Sequence, residues 1–179
     1  MAVRKTQETD KSKTDMIREA AEADLATFIR LIAPKNVMGS VHEELCAWWT
    51  REEASSHQIV MLPRDHGKSR YVGLRAAWHI TKHPDCRILY VSATANLAEK
   101  QLKFIKDILT SDIHRRYWPE MIHPEEGKRE RWTVTEISVD HPLRKEEGIR
   151  DPTVFACGVG ASTTGMHFDV IIKDDLVVP

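Results

Sequence analysis

The sequence predicts an α/β fold, a mainly parallel β-sheet flanked by helices, and three stretches carry that prediction. Residues 58–70 (QIVMLPRDHGKSR) hold a short apolar run at 59–62, stopped by Pro63 and a polar turn from which a helix must start near Lys68. Residues 87–93 (RILYVSA) read as a second buried strand, with Thr94 placed to cap a following helix. Residues 168–173 return as a strand that ends in the paired carboxylates Asp174 and Asp175. Strand, helix, strand, helix is the pattern of parallel crossovers. With 179 residues, 41% hydrophobic and 30% charged, the chain is long enough to bury one core with small appendages.

Taken in order, residues 1–14 are polar and lysine-rich, which predicts a flexible N-terminal tail. Residues 15–56 form a helical segment. Ile17, Ala20, Ala21, Leu25, Phe28, Leu31 and Ile32 recur at helical spacing as far as Pro34, with Asp24 out of place on the stripe. A second helix is predicted over 41–53, opened by Ser40 as N-cap with Glu43 completing a capping box, and its Trp48 and Trp49 suit packing.

Residues 57–179 are the predicted α/β core. Its first helix, 70–82, carries Val72, Leu74, Ala76, Ala77, Trp78 and Ile80 and should lie against the sheet. His79, His83 and Cys86 look like metal ligands, but Pro84 interrupts them, and a helix end followed by a strand is the reading adopted. The helix after Thr94 presents Leu97, Leu102, Ile105, Leu109 and Ile113 as one stripe. Residues 114–150 are charged and weakly periodic, with a hairpin or short edge strands at 131–139. Strands at 153–157 and 168–173 flank a polar, glycine-containing loop at 158–165.

Composition excludes several classes of function. The formal net charge of −1 gives no global attraction for nucleic acid, so any DNA contact must come from local patches. Cys46, Cys86 and Cys157 are too few and too irregular for a disulfide framework or a C-x-x-C metal site, which points to a reducing intracellular setting. No run of eighteen apolar residues and no signal-peptide core is present, so a soluble protein with no membrane partner is expected.

The chemistry concentrates at Gly67-Lys68-Ser69. A phosphate loop G-x-x-x-x-G-K-(S/T) would place glycine at Leu62, so only its second half is present. That half carries the needed physics. Gly67 lets backbone N–H groups converge on a phosphate, at the positive end of the helix that starts beside it. Lys68 would reach the terminal phosphates of ATP, and the Ser69 hydroxyl would ligate Mg2+. A tight turn at Gly67 with a solvated Lys68 would look the same in isolation. The acid pair Asp174-Asp175, in the right order downstream, supplies the magnesium-holding and water-activating groups that a P-loop NTPase-like core requires.

Four stretches together resemble the N-terminal ATPase domain of bacteriophage terminase large subunits, closest to the podovirus type of DNA-packaging motor. They are 42–48 (HEELCAW), 63–69 (PRDHGKS), 88–94 with 97–100 (ILYVSAT, LAEK), and 164–169 leading into 171–175 (TGMHFD, IIKDD). The resemblance implies a deviant phosphate loop with an arginine four residues before the lysine, here Arg64, as a nucleotide-sensing or catalytic arginine. A planar guanidinium suits that role through paired bonds to phosphate oxygens. It implies nucleotide contacts from Arg64, Asp65, His66, Gly67, Lys68 and Ser69, magnesium held by Ser69 and Asp174, and catalysis by Asp175. His42 stands where relatives often place an adenine-contacting glutamine. Many terminases have Asp-Glu where this chain has Asp174-Asp175, one methylene shorter at the second acid.

The resemblance further implies double-stranded DNA, a portal protein and a small terminase subunit as partners, in the cytoplasm of a phage-infected host. Such proteins continue into a coupling motif and a nuclease domain, whereas this sequence stops at Leu176-Val177-Val178-Pro179. The expected sheet is therefore incomplete at its C-terminus, as in a fragment, a split product completed by a second polypeptide, or a degenerate remnant, and no nuclease activity is assigned. Two classes of function stay open at this point: an ATP-hydrolysing packaging motor, and a truncated nucleotide-binding or structural partner without turnover. A helicase-like ATPase is a third reading, disfavoured because Ser92-Ala93-Thr94 precedes the acids instead of following them.

Overall fold

The computed structural model describes residues 2–176, and side chains from residue 13 onward; Met1, Val177, Val178 and Pro179 lie outside the described residues. The chain divides into two compact units, Met1–His66 and Gly67–Pro179.

In the first unit, α1 (Ala2–Ala23), α2 (Leu25–Ile32) and α3 (Ser40–Thr50) follow one another, with α2 packed on both neighbours. The stretch up to residue 14, expected as a tail, is helical from Ala2. No glycine or proline interrupts the chain before Pro34, and its Lys, Arg, Glu, Gln and Ala residues favour helix. Asp24, the misfit on the apolar stripe, marks a break in what read as one helix. It adopts φ −133° as N-cap of α2, and its carboxylate accepts from the Thr27 N–H at 2.7 Å. The stripe then buries Leu25, Phe28, Ile29 and Ile32. The predicted cap of α3 moves by one residue: Gly39, not Ser40, is the N-cap, and Glu43 pairs with Arg30 instead of closing a box. Trp49 is buried in this unit, while Trp48 lies under Arg51.

The largest departure is at 59–62, predicted as a buried strand. The sheet contains no part of it, and Ile59 and Met61 are 84% and 86% exposed. An apolar run becomes a strand only where a neighbour accepts its backbone hydrogen bonds. No strand of the sheet pairs with this run. Residues 57–66 consequently fall with the helical unit.

The second unit runs α4 (Lys68–Lys82), β1 (Ile88–Ser92), α5 (Ala95–Leu109), α6 (Asp112–Tyr117), a 3-10 turn (Glu126–Lys128), β2 (Glu136–Ile137), α7 (Pro142–Glu146), β3 (Val154–Gly158) and β4 (Val170–Lys173). The sheet order is β2-β3-β1-β4; β1 pairs in parallel with β3 and β4, and β2 is the antiparallel edge. The expected mainly parallel sheet is thus present in four strands. The predicted hairpin reduces to β2 plus one antiparallel bridge, Trp132 to Ile137.

Helix α5 covers β1 and β3, and α4 makes its close backbone approach to α5 instead of to the strands. Gly73 makes this possible, because a β-carbon there would sit 2.7 Å from Phe104 of α5. Thr94 caps α5 as predicted, accepting from the Leu97 N–H at 3.3 Å. Ala98, Leu102, Ile105, Ile108 and Leu109 form its buried face; Leu97 turns outward, and Ile113 belongs to α6. The charged 114–150 region is pinned by buried Arg144, which donates to the carbonyls of Pro84 and Cys86, both at 3.0 Å, and to that of Asp151. At the N-terminal ends of β1 and β4, Arg87 grips Asp169 with bonds of 3.0 and 2.7 Å and holds that carboxyl below the usual carboxylate range. That clamp fixes β4 beside β1 and so fixes where β4 delivers its acids.

Candidate functional site

The turn before α4 is exposed from Pro63 to Gly67. Asp65 and Gly67 both take φ 64°, the left-handed region. Glycine adopts it freely and aspartate tolerates it, so the unusual turn suits this sequence. Gly67 is the N-cap of the fifteen-residue α4 and has no side chain with which to cap it. The turn is tied internally by His66, whose Nδ1 donates to the Arg64 carbonyl at 2.9 Å. Among the described residues Arg64 itself makes no ion pair.

His42, on the first turn of α3, braces the same turn. Its Nε2 donates to the His66 carbonyl at 3.2 Å, and its Nδ1 accepts from the Gly39 N–H at 3.1 Å. A carbonyl can only accept and a backbone N–H can only donate, so these partners make Nε2 the donor and Nδ1 the acceptor. Both ring nitrogens are therefore engaged by main chain.

The acids lie at the other end of the sequence. The β1–β4 ladder extends past Lys173 through the Asp174 N–H to the Val91 carbonyl at 2.9 Å, and the Ala93 N–H donates to the Asp175 carbonyl at 3.1 Å. Asp174 Oδ1 accepts from the Ser69 hydroxyl at 3.1 Å, and its Oδ2 accepts from the Tyr90 hydroxyl at 2.9 Å. Ser69 and Asp174, 105 positions apart, thus share one hydrogen bond. Asp175 is exposed and left-handed at φ 47°. Asp65 and Asp175 are the two non-glycine positive-φ residues among those described, and both fall in predicted site segments.

Tyr90 had no predicted role. It is fully buried in β1, and burial, reinforced by the Asp174 carboxylate, pushes its phenol well above the ordinary value, so it stays a neutral donor. The signal in the sequence was a tyrosine inside an apolar strand, since a buried hydroxyl must find a partner.

Ser69 and Asp174 offer the hard oxygen donors that a magnesium ion takes. No cluster of three His, Cys, Asp or Glu side chains suited to a metal exists among the described residues. His79 and His83 sit with ring centroids 5.0 Å apart, and burial, followed by its cationic neighbours, lowers the His79 pKa to about 4. The three cysteines are buried and free. No helix of the described residues is long and apolar enough to cross a membrane.

No protein-family model matches the chain. Over 121 residues, 68% of its length, the chain is 30% identical to a terminase large subunit of Enterobacteria phage T3, and the match covers 19% of that protein. The chain therefore corresponds to about a fifth of the curated relative that it matches.

Proposed function

We propose that this chain is the nucleotide-binding portion of a terminase-type motor that packages double-stranded viral DNA, with ATP and Mg2+ bound at 64–69 together with Asp174 and Asp175. One observation carries the reading: the hydroxyl of the residue following Gly67-Lys68 meets the first of the two acids across 105 positions of sequence. Likeness to part of a phage terminase large subunit supports the packaging context. On this reading a portal protein and a small terminase subunit are its partners, in the host cytoplasm.

Each residue has a defined role. Gly67 opens the start of α4 toward the β- and γ-phosphates, and Lys68 supplies a point charge to them. Arg64 would supply a forked guanidinium to sense or stabilise the nucleotide phosphates. Ser69 and Asp174 would hold the magnesium ion, which when bound neutralises charge on the phosphate oxygens. Asp175 orients the attacking water and accepts its proton. Binding without turnover is the second reading, favoured by the exposure of Asp175, because a base open to bulk water is poorly insulated for chemistry.

Calorimetric titration with ATP and Mg2+ tests the site. Wild type binds, and Lys68→Ala loses about tenfold to a hundredfold in affinity, as for a charged hydrogen bond to phosphate. Equal affinity for the two proteins overturns the reading. Hydrolysis of bound ATP by the wild type separates the motor from the binding-only alternative.

A further inference from the structure

The second unit carries a cleft of about 550 Å3 that contains none of the predicted nucleotide-binding residues. It lies between α5 and the segment 126–134. One wall is the solvent side of α5, where Lys100, Lys103 and Lys106 follow at steps of three residues, a rise of about 4.5 Å each. The other side of that helix holds Leu102, Ile105 and Leu109 in the core, so the row of lysines cannot turn away. On the facing wall Arg129 lies 4.7 Å from the centre of the Trp132 ring, and Lys106 reaches the same ring at 5.1 Å and the Thr133 carbonyl at 3.2 Å. Trp132 therefore fastens a cation from each wall. Arg115 also lines the cleft, with its Nε buried and without a hydrogen-bond partner among the described residues.

Glu99, Asp107 and Glu126 line the cleft as well. Among the described residues, however, none of them lies within 4 Å of a cleft cation as an ion pair; Glu126 and Asp107 act on Lys106 from farther away, and Arg129 is held in the wall by the His123 and Pro124 carbonyls at 3.0 and 3.4 Å, so five cations face three acids across the cleft. A buried guanidinium nitrogen without a partner is costly unless an anion supplies one.

We propose that this cleft binds the phosphodiester backbone of duplex DNA. A row of cations along one helix, faced by a guanidinium fixed against an indole, matches a row of phosphates. It also answers the net charge of −1, which leaves a local patch as the means of attraction. The Trp132 ring is taken by two cations and is not offered to an unstacked base, which favours a duplex over a single strand. The proposal deepens the packaging reading and rests on it for the choice of duplex DNA as the polyanion; the cleft residues are separate from Lys68, Ser69 and the acids.

The test is fluorescence anisotropy of a labelled duplex of arbitrary sequence with the full chain, over a range of salt. Binding should weaken steeply with salt, and Lys100→Gln with Lys103→Gln should lower the slope of log K against log[salt] by about 0.9 for each phosphate contact removed. Both lysines are exposed, so the double variant should melt as the wild type does. Lys68→Ala should bind duplex normally while losing ATP, so failure of the nucleotide site and of the cleft are told apart. Absence of duplex binding, an unchanged affinity and salt slope in the double variant, tighter binding of a single strand, or binding of tripolyphosphate but not of duplex would each overturn the proposal.

Discussion

On the C-terminal side of Gly67 the chain enters α4, and Ser69 is held by Asp174, whose other oxygen is held by the buried hydroxyl of Tyr90. On the N-terminal side Arg64, Asp65 and His66 form an exposed turn that is tied by imidazole-to-carbonyl bonds. The first side has the character of a preorganised ion site, with donors fixed by residues of a sheet. The second has that of a segment that adapts to a ligand, since binding loops come from the weakly held parts of a fold. On the proposed function, the metal end of the nucleotide would meet a finished surface, and the phosphate-covering end would be completed on binding.

The largest expected effect breaks the preorganised side. Asp174→Ala removes the partner of both Ser69 and Tyr90 and strands a buried phenol, which costs about 1–3 kcal/mol of stability in addition to magnesium-dependent nucleotide affinity. Asp175→Asn, at an exposed position, should leave binding of a non-hydrolysable analogue unchanged and slow single-turnover hydrolysis by about a hundredfold. Denaturant titration, calorimetry and a quench assay read the three quantities. Hydrolysis at the wild-type rate in Asp175→Asn would show that water activation lies with another residue.

A smaller effect sharpens the same side. Tyr90→Phe removes a hydroxyl and leaves the rest of β1 packed, so its stability cost should be about 1 kcal/mol. Asp174 then loses one of its two restraints, and the magnesium dependence of nucleotide affinity should weaken while affinity without magnesium does not. Equal loss with and without magnesium would mean that Tyr90 serves the core and not the ion site.

The two sides were also unequally legible. Helices α4 and α5 and strands β1, β3 and β4 could be read because period, cap and stop agree: Thr94 caps, Pro84 ends, and the stripe through Leu102 and Leu109 faces inward. Asp24 showed the opposite case, where a residue that violates the stripe turned out to be the cap at which the helix breaks. The run 59–62 misled because apolar residues report a preference for burial, whereas a strand also needs a partner, and pairing is not written in the run itself. Ser69 and Asp174 were each readable by type, but their meeting depends on β4 lying beside β1, which the Arg87–Asp169 clamp fixes. The left-handed Asp65 and Asp175 were not readable, because backbone conformation at a single aspartate leaves no trace in pattern.

The smallest expected effect tests the adaptable side, through the bond from His42 to the His66 carbonyl. Asparagine at position 42 can still accept from the Gly39 N–H but is too short to reach the loop, whereas glutamine keeps a donor at the distance of Nε2. His42→Asn should therefore lower affinity for the phosphate moiety by about fivefold, the worth of one net hydrogen bond of about 1 kcal/mol, while His42→Gln retains it. Their thermal stabilities should rank the other way, because the asparagine preserves the cap of α3. Titrating tripolyphosphate beside ATP removes the base from the comparison: a brace on the loop weakens both ligands alike, whereas a contact with adenine weakens ATP alone. If His42→Asn binds tripolyphosphate as wild type does, the imidazole braces nothing that the phosphates use, and the turn before Gly67 is held by its own left-handed backbone.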